Sequence, residues 1–296
     1  MSRVEGRADR IVGEAAPRRP GASQRALRRF LRRPPALLAT AFLGCLGLTA
    51  ALAPRVSPYS PEAIDLSNMS APPSLVHWLG TDENGRDVLT RILHGARISL
   101  AVALVSMLIA VTLGTVLGSV AGYFGGWVDR VVSQLVDGML AIPLFFLWLM
   151  TLTSLGPSPA TIVLVLGATG WMQVARVVRS EVLRVRELEY TQAARALGAP
   201  EAVVLARHVL PQAVPSVVVG AALATAFAIL SESALSYLGI GIQPPAPSWG
   251  NMLSTAQQSV WEAPWLPVFP GLFILATVLA FNALGDALRD AVDPTA

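Results

Sequence analysis

Six apolar stretches, near Ala36–Ala53, Ile98–Ala121, Val131–Leu155, Ser158–Ala175, Ala213–Tyr237 and Pro267–Leu284, limit what this chain can fold into. Each is long enough to cross a hydrocarbon core, which takes about 17–25 mostly apolar residues. Lipid offers no partner to an open strand edge or an irregular backbone, so such stretches must be helices. Only 14% of the 296 residues are charged, whereas a soluble domain carries about 25%. The predicted fold class is all-α: a polytopic membrane protein with six transmembrane helices.

Charge sets the orientation. All 22 basic residues are Arg. Ten lie in residues 1–35, one near 122–130, six in 176–212 and one at Arg289, so eighteen fall on one side. The other side has four: Arg55, Arg86, Arg91 and Arg97. The positive-inside rule then puts both termini and the 176–212 segment in the cytoplasm. The absence of Lys excludes a P-loop, whose Lys reaches the nucleotide phosphates. Any ATP-driven step would use another polypeptide. Cys45, the one cysteine, has no partner for an intrachain disulfide and is read as lipid-facing or packing.

Residues 1–35 read as a disordered basic cytoplasmic tail, suited to anionic headgroups or to enforcing topology. Residues 36–54 form the first transmembrane helix, an uncleaved signal-anchor. Arg28-Arg29-Phe30-Leu31 and Ala51-Leu52-Ala53 have the look of a twin-arginine signal and a cleavage site, but five more spans follow. Residues 55–95 form an extracytoplasmic segment in which Val88–Ile98 is expected to lie on the membrane as a short amphipathic helix, with Trp78 as an interfacial anchor. Asp82, Asn84 and Asp87 lack the rest of an EF-hand pattern, so no metal site is predicted. Gly122–Arg130 reads as a tight turn. Pro143 is expected to kink the third span, and is a pathway candidate for that reason.

Between the fourth and fifth spans lies a polar, Arg-studded unit. Glu187–Leu197 favours helix. Gly198 suits a left-handed position past a helix end, and Pro200 the first turn of a second helix made sticky by Val203, Val204, Leu205 and Val209. Pro211 restricts continuation. Two short helices meeting near a glycine can seat in a groove of a soluble partner.

The unit resembles a family loop that reads Glu-Ala-Ala, three residues, Gly, nine residues, an aliphatic residue, one residue, Leu-Pro. Here it is Gln192-Ala193-Ala194, Gly198, His208 and Leu210-Pro211. That loop couples the inner-membrane subunits of binding-protein-dependent ABC transporters to their ATPases. Gln192 and His208 depart from the general pattern, although His-x-Leu-Pro is usual in the dipeptide/oligopeptide/nickel branch. Leu79-Gly-Thr-Asp82 with Gly85-Arg-Asp87, Gly122–Asp129, Leu140-Ala-Ile-Pro143, Gly239–Gly250 and Phe281–Pro294 resemble the same branch, in order.

The resemblance implies a C-type permease subunit of the type I importer fold, with residues 96–290 as its transmembrane domain and 176–212 as its coupling loop. It implies a bacterial inner-membrane location, a second homologous permease, two cytoplasmic ATP-binding subunits or domains, and an extracytoplasmic substrate-binding protein. It implies no catalytic residue and no cofactor of this chain's own, ATP being bound by the partners. Three His and no Cys cluster favour peptides over nickel.

Other readings fit less well. A DNA-binding helix–turn–helix would want a stronger basic footprint than six Arg against Glu181, Glu187, Glu189 and Glu201, so no nucleic-acid partner is expected. An ion-coupled transporter could use Glu232, flanked by Ser231 and Ser233, or Asp137, but no inverted repeat is visible. Glu232 stays a pathway candidate, with hydrogen bonding between helices as its alternative role. An intramembrane enzyme finds only His208, with no Ser or Cys nucleophile near it in sequence.

Overall fold

The computed structural model describes residues 29–31 and 33–292. The expected tail over 1–35 lies almost wholly outside the described residues, as does Arg28 of the signal-like stretch. The helices of eight residues or more are α1 (Pro34–Ala51), α2 (Val88–Phe124), α3 (Gly126–Leu140), α4 (Leu144–Leu155), α5 (Pro159–Arg186), α6 (Glu189–Ala196), α7 (Leu210–Tyr237), α8 (Trp249–Ala256) and α9 (Trp265–Val292), among the described residues. Among the described residues five helices are long and apolar enough to cross a membrane, α1, α2, α5, α7 with its lead-in from Glu201, and α9. α3 and α4, bent by 80° at a short break, are apolar and long enough together to make a sixth if the pair is one broken span.

Packing fixes which ends lie together. Leu46 and Ala50 near the end of α1 pack with Ala96 and Leu100 near the start of α2, around Trp249 and Ile274. Ile162 at the start of α5 packs with Val102, and with Leu235 and Ile242 at and beyond the end of α7. Arg33, just before α1, pairs with Asp290 near the end of α9. The start of α1, the end of α2, the end of α5, the start of α7 and the end of α9 therefore share one end of the bundle, here called the loop end.

The α2–α5 contact is long and close, and three glycines at four-residue spacing make it so. A Cβ on Gly114 would lie 2.7 Å from the Trp171 carbonyl oxygen, on Gly118 2.5 Å from that of Ala175, and on Gly122 2.7 Å from that of Arg179. Small residues one turn apart let two helix backbones approach closely, the usual source of cohesion where lipid removes the hydrophobic drive.

Three expectations need correction. Val88–Ile98 is not a separate surface helix but the first turns of α2. Its polar residues find partners inside the fold: Asp87 accepts from the Thr90 amide at 2.8 Å, capping the helix. Buried Arg91 lies 3.4 Å from Asp82 and donates to the Pro61 carbonyl at 3.1 Å. Asp82 also pairs with Arg86 at 2.7 Å, and Asp87 meets the His77 ring at 3.0 Å, so both carboxylates are already engaged. Second, the third span is not merely kinked at Pro143. It breaks over Ala141–Pro143, with Pro143 in extended conformation as the cap of α4. Third, Pro211 does not stop the helix that follows Gly198. Glu201–Tyr237 runs through, by way of a π turn at Leu205–Val209. Proline inside an α-helix clashes with the carbonyl four residues back, and a wider turn just before it makes room.

Candidate functional site: a hairpin projecting from the loop end

Helix α5 continues to Arg186, so residues 176–186 of the expected loop extend the fourth membrane helix. What projects beyond is a hairpin, α6 followed by the turn at Gly198 and the start of the 201–237 helix. Each part follows from local chemistry. Thr191 is fully buried and donates its hydroxyl to the Val185 carbonyl at 3.0 Å, folding α6 back onto α5. Gly198 has φ +81°, as its place past a helix end requires. Its N–H donates to the Arg195 carbonyl and that of Ala199 to the Ala194 carbonyl, at 2.9 and 3.2 Å, closing α6. The hairpin root rests on a core of Tyr123, Val174, Val178, Val182, Val185, Val204, Val209 and Ala213.

The motif residues fall as follows. Gln192 is exposed and donates to the Arg186 carbonyl at 3.1 Å. Ala193 is exposed, while Ala194 is half-buried against the hairpin core. His208 sits half-buried in the π turn, its carbonyl 3.5 Å from the Tyr190 hydroxyl. Leu210 and Pro211 open α7. Beyond them the hairpin presents bare apolar side chains: Leu197 is 88% exposed, and Tyr190 and Val203 are exposed too. Leu197 and Val203 flank the turn, an arrangement suited to insertion into a groove.

Two ties hold the hairpin that the sequence did not reveal. Arg186 donates to the Gly122 and Tyr123 carbonyls at 3.3 and 3.0 Å, covering the end of α2. Arg195 lies 4.9 Å over the Tyr123 ring and 3.3 Å from the Glu201 carboxylate, and the Tyr123 hydroxyl donates to that same carboxylate. The Tyr123 hydroxyl, ahead of the Glu201 charge, favours the charged form of the Arg195 guanidinium and raises its pKa.

The two pathway candidates lie elsewhere. A cavity of about 400 Å³ opens among α2, α5, α7 and the α3–α4 break, walled chiefly by apolar groups such as Met107, Leu166, Leu223 and Phe227. Leu140 and Leu144, on either side of the break at Pro143, line it, as does exposed Gln173. Glu232 is not on that wall. It is fully buried toward the far end, accepting from Ser99 of α2 at 2.9 Å and from Ser236 at 2.7 Å. Asp137 pairs with Arg176 near the loop end.

Gly198 lies in open space, with no atom within 4 Å of an added Cβ. The cost of Gly198→Val is thus backbone strain alone, roughly 1–2 kcal/mol for a left-handed non-glycine residue. We expect the variant to insert and fold normally with the two arms of the hairpin re-aimed, so that yield and thermal midpoint stay near wild type while the spin-label distance between positions 192 and 203 changes. An unchanged distance would show that the turn accepts a branched residue without re-aiming its arms.

Comparison with known proteins places this architecture. Residues 114–296 match the family described as binding-protein-dependent transport system inner membrane component, and residues 22–73 match the N-terminal TM domain of oligopeptide transport permease C. The glutathione transport system permease protein GsiD of Pectobacterium atrosepticum is 41% identical over 268 residues, covering 90% of this chain and 89% of the relative. A putative peptide permease protein of Brucella suis biovar 1 is 38% identical over 289 residues, 97% and 96% of the two chains. Among solved structures, a chain of the inward-facing MetNI methionine ABC transporter superposes with TM-score 0.57 at 20% identity, covering 67% of this chain and 94% of that one. That likeness establishes a shared fold. By the extent of the family match and the identity to full-length relatives, this chain belongs to the inner-membrane components of binding-protein-dependent transport systems, the permeases of ATP-driven importers.

Proposed function

We propose that this permease imports dipeptides or oligopeptides as one half of a translocation pathway, coupled through its hairpin to an ATPase carried on separate subunits. The observation that carries the coupling reading is the hairpin itself: a left-handed Gly198 between short α6 and the start of the Glu201–Tyr237 helix, with Leu197, Tyr190 and Val203 bare at its surface. Peptide cargo is supported by the relatives' descriptions as glutathione and peptide permeases. In this reading a second homologous permease completes the cavity, two cytoplasmic subunits bind the ATP, and an extracytoplasmic binding protein delivers the cargo. The loop end, with both termini, faces the cytoplasm, following the Arg distribution. ATP-driven closure of the ATPases would move the hairpins and change which side the cavity opens to. The largely apolar wall offers cargo few fixed polar contacts, which suits release once the binding protein has done the selecting.

Thiol labelling tests the orientation. In a Cys45→Ala background, Ser74→Cys and Glu262→Cys should react with an impermeant reagent added to intact cells, and Ala196→Cys should react only after the membrane is opened. Labelling of position 196 from outside would invert the topology and remove the hairpin from any cytoplasmic ATPase. Uptake of labelled dipeptides against labelled nickel by the assembled transporter separates the two cargoes, and nickel uptake without peptide uptake would refute the assignment of cargo.

A further inference from the structure

The hairpin's arms continue into α5 and α7, which line the cavity directly, and one aromatic ring fastens both arms to a third lining helix, α2. Tyr123 is the penultimate residue of α2, and only 2% of its surface is exposed. Its ring is packed into the core under the hairpin while its hydroxyl reaches out to Glu201, on the arm after the turn. Arg195, on the arm before the turn, covers the ring face and pairs with Glu201. Both arms are thus fastened to the same side chain. From Tyr123, α2 runs back as one 37-residue helix through Ala110, Met107 and Ser106 on the cavity wall to Ser99, which donates to Glu232.

We propose that Tyr123 is a positioning residue for coupling, gripped by Arg195 and Glu201 so that displacement of the hairpin is passed to α2 and hence to the cavity wall. Several features favour transmission over simple support. The tie joins elements 78 residues apart in sequence. It uses a carboxylate acceptor, and hydrogen bonds to charged groups are the stronger and more directional kind. It meets α2 where that helix cannot shift toward α5, since Gly122 is pressed against the Arg179 carbonyl. A push on Tyr123 in that direction therefore travels along α2 or moves α2 and α5 together.

This inference rests on the coupling role of the hairpin, and the experiment separates the two. The complete transporter, with its ATPases and binding protein, is reconstituted carrying Tyr123→Phe, Glu201→Gln or both. Phe keeps the ring, the packing and the Arg195 contact and removes only the hydroxyl. Uptake per ATP hydrolysed is the readout, because a merely destabilised permease loses both together and keeps their ratio. We expect the ratio to fall about tenfold in Tyr123→Phe, the shift in a two-state balance that one charge-assisted hydrogen bond can hold, and by less in Glu201→Gln, which keeps an acceptor oxygen but strips its charge. The double variant should be little worse than Tyr123→Phe alone, since Gln weakens a bond that Phe already removes. In parallel, Leu197→Cys in the otherwise cysteine-free permease is cross-linked to the ATPase. Cross-linking with an unchanged ratio in Tyr123→Phe and Glu201→Gln overturns the role of Tyr123 alone; absence of cross-linking overturns the coupling role of the hairpin.

Discussion

Gly118→Val should remove most of the folded permease from the membrane, while Gly44→Val should leave it in place. The contrast comes from what each new side chain meets. A Cβ at position 118 would lie 2.5 Å from the Ala175 carbonyl oxygen and 3.0 Å from its Cα, both backbone atoms of a helix that cannot yield locally. The only relief is to move α2 and α5 apart along their length. That separation would loosen Gly114 from Val174 and Trp171, and Gly122 from Arg179, in the same step. Overpacking a tight contact costs typically about 1–3 kcal/mol when side chains can adjust; here backbone must move, and we expect the upper end of that range or beyond. Gly44 sits on an exposed part of α1 with nothing within 4 Å. The measurement is the yield of monodisperse permease after detergent extraction, with its thermal midpoint. A Gly118→Val protein extracted at wild-type yield and midpoint would show that close approach of α2 and α5 does not hold the bundle together.

That glycine stripe also shows where reading the sequence stops. Apolar length marks a span because desolvating a backbone in lipid is a property of each segment by itself. Spacing within a span matters only once its neighbour is known, and Gly114, Gly118 and Gly122 look ordinary until α5 is laid against them. The hairpin was legible for the first kind of reason: Gly198 and Pro200 carry local conformational demands that any partner would leave in force. Its fastening was not legible, since nothing near Tyr123 in sequence points to Glu201. The misplacement of Val88–Ile98 has a related cause. Arg91 and His94 make that stretch look as though it needs water, yet Arg91 is buried because Asp82 and the Pro61 carbonyl reach it from the preceding segment. Pro211 shows the opposite: a proline restricts continuation of a helix, yet a single wide turn before it lets this one go on.

The second large effect is expected at Glu232, and it depends on which atoms the replacement keeps. Two chains of hydrogen bonds end on this carboxylate. The Trp249 amide donates to the Ser99 hydroxyl at 3.4 Å, which donates to Glu232 at 2.9 Å. The Ile242 amide donates to the Ser236 hydroxyl at 2.9 Å, which donates to Glu232 at 2.7 Å. The far-end loop between α7 and α8 is thereby tied to α2 and α7 through one buried side chain. Glu232→Leu leaves both hydroxyl protons without an acceptor, at about 1–3 kcal/mol for each unsatisfied group, and so loosens the two serines that hold the loop. Glu232→Gln keeps one acceptor oxygen and offers an N–H₂ group in place of the other, so one serine keeps its partner and the second must turn its hydroxyl. We therefore expect Glu232→Leu to lose most uptake and thermal stability, and Glu232→Gln to retain most of both. A carboxylate that serves as a fixed acceptor carries no proton through the cycle, so on this account collapsing the proton gradient at constant ATP should change little in either the wild type or the Gln variant. Loss of uptake in Glu232→Gln together with uptake that follows the proton gradient at fixed ATP would make Glu232 a titrating group in the transport cycle. The two hydroxyl contacts would then be steps on an ion path and not a structural tie.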